Sequence, residues 1–156
     1  MINVLNKINE PNDLKRLSIE ELKTLASEIR ELLLKKLSIH GGHFGPNFGT
    51  VEAIIALHYV FNSPIDKLIF DVSHQSYTHK ILTGRKDAFI YEDKYDDVTG
   101  YTDPSESVHD LFKIGHTSTS ISLAVGLAVS RNLKNESYNV IAFIGDGSLS
   151  GGESLE

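Results

Sequence analysis

Two short runs of apolar and β-branched residues, 67–72 and 138–144, constrain the fold of this chain more than anything else in it. Each reads as a short buried strand, and helical patterns lie between and before them. That alternation implies an α/β fold with a parallel sheet. The expected architecture is three layers, a parallel sheet with flanking helices. Two strands alone rarely make a stable sheet, so the fold is expected to be incomplete at its C-terminus. Ligands of such sheets bind outside the carboxyl ends of the strands. Three loops, 73–79, 115–120 and 145–152, fall there or within reach.

The helices are written in local signals. Ser18-Ile19-Glu20-Glu21 is a capping box with Ser18 as N-cap. Leu22, Leu25, Ala26, Ile29, Leu32, Leu33 and Leu37 then recur at helical spacing, which predicts a helix over about 19–38 stopped by Gly41-Gly42. Residues 41–49, with three more glycines or prolines beyond Gly42, read as a loop. Thr50 is expected to cap a second helix over 51–60, apolar on most faces and so buried. A helix is expected to open near 73–79 and end near Thr83-Gly84. The polar span 91–110 reads as a long loop. Small apolar residues from 121 to 133 predict a helix set close against the sheet.

The length of 156 residues and 40% hydrophobic content suit one domain with a real core. A net charge of −6 without a basic cluster argues against nucleic acid as a partner. Cysteine is absent, which excludes disulfides and thiolate metal sites. No apolar run approaches bilayer length and no apolar signal segment follows Met1, so no membrane partner and a cytoplasmic location are expected.

Gly145-Asp146-Gly147 follows the second strand run and leads into Ser148-Leu149-Ser150-Gly151-Gly152. Glycines let backbone approach a ligand, and Asp146 offers a hard oxygen to Mg²⁺ beside a phosphate. An ordinary turn explains the tripeptide equally simply. Gly115-His116-Thr117-Ser118-Thr119-Ser120 precedes a helix, where Thr117 to Ser120 offer caps and exposed amides attract phosphate. Among seven histidines, His43 lies in a glycine loop, and His74 and His79 follow the first strand, where a histidine can act as acid or base. Zinc at His74 and His79 is a poor reading, since i,i+5 spacing does not share a helical face. His58 is expected as a hydrogen-bonded core histidine, while His40 and His109 carry no argument beyond exposure.

Taken in order, segments 17–22, 41–43, 47–52, 56–61, 71–85, 105–110, 115–122 and 144–152 resemble the 1-deoxy-D-xylulose-5-phosphate synthases. These are thiamine diphosphate enzymes of the transketolase-like group. The resemblance implies that residues 1–156 are the amino-terminal portion of a diphosphate-binding domain, with thiamine diphosphate and Mg²⁺ as cofactors. It implies Asp146 as a metal ligand, Gly147 and Ser148 on the cofactor, and His74, Gly115, His116 and Thr117 in contact with it. His43 matches a histidine of substrate handling or proton transfer. The implied reaction joins pyruvate, with loss of CO₂, to glyceraldehyde 3-phosphate for isoprenoid and thiamine synthesis.

The family's second metal ligand, an Asn, and the Glu that activates the cofactor match no residue up to 156. Little activity is therefore expected of this chain alone. Residues 95–101 and 44–47 also depart from the family's pattern, which bears on substrate specificity. A homodimer, or a partner chain carrying the missing domains, is implied. The alternatives are a subunit of a split transketolase-like enzyme and a non-catalytic module that binds a phosphate ligand or another protein.

Overall fold

The capping box at Ser18 forms in the computed structural model, which describes residues 3–156. Ser18 Oγ accepts from the Glu21 amide at 3.2 Å, and the Glu21 carboxylate accepts from the Ser18 amide at 2.9 Å. That amide and the Lys7 ammonium hold the Glu21 carboxyl down at about 2. Helix α1 (Ile19–His40) follows and stops at Gly41, whose φ of 83° suits glycine. The chain divides into two units, one running to Asn62 and including Gln75–Gly100, the other made of Ser63–His74 and Tyr101–Glu156.

In the first unit α1 buries Leu25, Ile29 and Leu33, each contributing roughly 1.5–3 kcal/mol relative to exposure. Its buried Glu28 accepts the amides of Asn3, Val4 and Leu5, tying the amino-terminal segment down. The expected loop at 41–49 contains a helical turn, α2 (Gly45–Phe48). Pro46 sits in its first turn, where a missing N–H leaves no bond unmade. That turn also corrects the role of Thr50. Its hydroxyl donates to the Pro46 carbonyl at 2.7 Å and makes no cap on α3 (Val51–Val60). Helix α3 packs on α1 and buries Val51, Ile54, Ile55 and His58, but Val60 is exposed. It is thus buried on one face rather than on most. Helix α4 (Tyr77–Lys80) continues into a wide turn, Ile81–Arg85, broken at Thr83 and Gly84 as expected. Helix α5 (Asp87–Ile90) precedes a 3₁₀ turn over Glu92–Asp97, so the expected long loop begins with local structure.

The second unit holds the sheet. Strand β1 (Lys67–Phe70) pairs in parallel with β2 (Val140–Phe143), Lys67 opposite Val140 and Phe70 opposite Phe143. Both are shorter than the sequence runs. Val72 has φ 59° and so cannot continue β1. Helix α6 (Ser120–Leu133) packs against the sheet, with Val125, Val129 and Leu133 exposed. The short helices α7 (Asp146–Leu149) and α8 (Gly152–Leu155) follow β2. The class is α/β with a small parallel sheet. Among the described residues no helix is long and apolar enough to cross a membrane.

Candidate functional site

At the carboxyl edge of the sheet, the last residue in register is followed by a sharp departure. The Asp71 amide still donates to the Phe143 carbonyl at 2.9 Å, but Val72 and Ser73 take φ values of 59° and 68°. A β-branched residue in that region is strained, and such strain persists only where surroundings over-determine it. Here they do. The Asp71 carboxylate is buried and accepts from the Ser118 amide at 2.9 Å and the Ser120 amide at 3.0 Å. Burial opposes its charge, yet the Ser120 and Ser118 amides hold its pKa below the ordinary value. The start of α6 is therefore capped from the residue that follows β1. Thr119, the N-cap residue, makes no side-chain cap. This corrects the expected caps from Thr117–Ser120, and it withdraws the Ser118 and Ser120 amides from any phosphate.

The same edge fixes the flanking loop. Ser73 Oγ donates to the Ile114 carbonyl at 2.8 Å and accepts from the Thr102 amide at 3.0 Å. Gly115, His116 and Thr117 hang exposed between that anchor and Ser118, and His116 Nδ1 lies 2.8 Å from the Thr117 carbonyl. Ser118 Oγ donates to the Ser148 carbonyl at 2.6 Å, and Ser154 Oγ donates to the Ser118 carbonyl at 3.0 Å. These bonds join the 115–120 and 145–152 segments that the sequence singled out separately. The joint is tight. A Cβ on Gly151 would stand 1.9 Å from Ser118 Oγ.

Asp146 is exposed at the first position of α7. Gly145 and Gly147 have no atom within 4 Å of where a Cβ would stand, and neither has Gly115. Open space before the two glycines that flank this exposed carboxylate suits a metal-bound phosphate, which needs close approach and one or two protein carboxylates. Among the described residues no three His, Asp or Glu side chains cluster as a ready metal cage. A metal ion held at Asp146 would need phosphate oxygens, water or other groups to complete its ligands. His74 follows Ser73 directly and is half-buried.

In the first unit His43 lines a cleft of about 250 Å³ with Lys36, His40, Tyr77, Tyr95 and Thr99. Lys36 is buried, donates to the Ala88 and Tyr95 carbonyls at 2.8 and 2.9 Å, and lies over the Phe89 ring. His40 Nε2 is 3.1 Å from the Asp96 carboxylate. In the second unit His109 Nδ1 lies 2.9 Å from Ser63 Oγ, so both of these histidines have partners that the sequence did not suggest. His58 is the expected core histidine, fully buried with Nε2 2.9 Å from His79 Nδ1. That bond engages a ring nitrogen of His79 and weakens the zinc reading further.

The loops around Asp71 and Asp146 occupy the sheet edge where α/β proteins bind ligands. The sequence profile of the 1-deoxy-D-xylulose-5-phosphate synthase family matches residues 5–156, almost the whole chain. The chain belongs to this family. It is 53% identical over 153 residues to the 1-deoxy-D-xylulose-5-phosphate synthase of Caldanaerobacter subterraneus subsp. tengcongensis, covering 98% of this chain and 25% of the relative. It is 54% identical over 153 residues to that of Dictyoglomus thermophilum, with the same coverage. Over 156 residues it is 51% identical to that of Halothermothrix orenii, covering 100% of this chain and 24% of the relative. The chain thus spans about a quarter of the length of the synthases it matches.

Proposed function

We propose that this chain furnishes the amino-terminal, diphosphate-holding part of a 1-deoxy-D-xylulose-5-phosphate synthase dependent on thiamine diphosphate and Mg²⁺. The match of residues 5–156 to that family carries the reading. Supporting it, Ser118 and Ser148 join the two glycine loops at one sheet edge with Asp146 exposed beside them. In this reading the domain is a three-layer α/β unit of the kind that holds thiamine diphosphate. Asp146 ligates Mg²⁺, Gly147 and Ser148 lie along the cofactor, and His74, Gly115, His116 and Thr117 contact it. When bound, thiamine diphosphate supplies the electron sink for breaking and making carbon–carbon bonds. His43 takes up or delivers a proton at its ring as pyruvate and glyceraldehyde 3-phosphate are joined. That activity is proposed for the whole protein to which such a segment contributes, as a cytoplasmic homodimer or with a partner chain.

Calorimetry with thiamine diphosphate and Mg²⁺ tests the cofactor assignment. We expect binding that weakens at least about tenfold in Asp146→Ala, since even supporting groups around a metal are worth that much. Undiminished binding in the variant would remove Asp146 as a ligand. No heat from either chain would count against the cofactor itself.

A further inference from the structure

Three residues of the first unit close a ring of polar contacts around His43. The Tyr77 amide donates to Asn47 Oδ1 at 2.9 Å, and Asn47 Nδ2 donates to the His43 carbonyl at 2.7 Å. The His43 amide donates to Tyr77 Oη at 3.3 Å, and that oxygen stands 3.5 Å from His43 Nδ1. Asn47 is fully buried and Tyr77 nearly so, with the Tyr77 ring held against Phe89 at a centroid distance of 5.6 Å. A phenol has one proton to give and lone pairs to receive. Its oxygen receives the His43 amide, and its 3.5 Å approach to His43 Nδ1 suits an O–H directed at that nitrogen.

Two glycines leave room for this arrangement on either side. A Cβ on Gly42, whose φ is 131°, would come within 2.7 Å of Tyr77 Oη and of Leu37 Cδ2. A Cβ on Gly100 would come within 3.3 Å of His43 Cε1 and 3.5 Å of Tyr77 Oη. Both glycines line the same cleft as His43. The phenol is thus closely bracketed, and its hydroxyl meets both the backbone and the ring of one histidine.

We infer that Tyr77 is a positioning residue for His43, holding its main chain through Oη and keeping its ring protonated on Nε2 rather than Nδ1. Its value for catalysis rests on the proton-handling role proposed for His43, whereas the positioning itself does not. Tyr77 acts through His43 and is assigned no contact with substrate. Asn47 completes the clamp by fixing the backbone of both partners.

The test is NMR of the full 156-residue chain with ¹⁵N-labelled histidine, the His43 signals assigned with His43→Gln. In the wild-type chain we expect the Nε2–H form. In Tyr77→Phe we expect a displaced Nδ1 resonance and a His43 amide that exchanges at least about tenfold faster, as a lost local bond allows. Unchanged Nδ1 and amide signals in Tyr77→Phe would overturn the inference. If that variant does not fold, a wild-type ring protonated mainly on Nδ1 still overturns the inference. No activity enters the readout, so failure here leaves the synthase reading intact, and the reverse also holds.

Discussion

Around His43 the polar contacts run among residues that themselves line or back a cleft, and the ring of bonds ends on the histidine. Around Asp71 the pattern is inverted. A buried carboxylate organises the backbone, and the candidate ligand-facing groups, Gly115 to Thr117 and Asp146, stand exposed in front of it with few bonds of their own. The first arrangement orients a side chain. The second orients main chain, storing strain at Val72, Ser73 and Ser118 that Asp71 and Ser73 hold in place. The difference teaches that the residue most important to a site's shape need not be one that faces its ligand.

The strongest way to break that contrast is Asp71→Ala. It leaves the buried amides of Ser118 and Ser120 without their acceptor, so we expect a loss of about 3 kcal/mol in urea unfolding. A loss under about 0.5 kcal/mol, the range of ordinary surface changes, would deny Asp71 its organising role. The same carboxylate bears on acid stability. Its folded pKa is depressed, as is that of Glu28, whose burial is outweighed by the Asn3, Leu5 and Val4 amides. Groups of this kind stabilise the fold above their unfolded values, ordinarily 3.8 and 4.5, and that stability is lost as pH falls through the depressed values. Circular dichroism should therefore show unfolding on the acid side of pH 4.5, with Asp71→Asn flattening part of the slope.

Gly151→Ala is expected to have the next largest effect, roughly 1–3 kcal/mol, because its methyl group collides with Ser118 Oγ. Pairing it with Ser118→Ala should recover part of the loss, since the nearest colliding atom is gone. Fully additive losses would show that the two loops are not coupled through that contact. Smallest of all, Asp146→Ala should change stability by less than about 0.5 kcal/mol, its carboxylate being exposed. A large loss would move Asp146 from the ligand-facing group to the organising one.

Much of this was legible in the residues. Helix α1 and its cap depend on Ser18 and Glu21, three positions apart, and on an apolar spacing that repeats within the same helix. The strand runs, the glycine loops and the break at Thr83-Gly84 are likewise local. Thr50 was misread because its hydroxyl answers to the Pro46 carbonyl, available only once residues 45–48 curl into a turn. Asp71 was passed over inside a strand run. An acidic residue at the carboxyl end of a buried strand was a signal to pause on, but its partners lie 47 and 49 residues later.

What the sequence determined by itself was the α/β class, the places of α1, α3, α4, α6 and the two strands, the family, and the glycine-flanked Asp146 as a candidate ligand. Each follows from residue types at short spacing, where hydrophobic period, caps and turn residues act. Only the tertiary structure decided that Asp71 caps α6, that Ser118 locks one loop to the other, and that Tyr77 and Asn47 enclose His43. Those bonds connect groups brought together by folding, and a buried donor or acceptor takes whichever partner the packed chain places within reach.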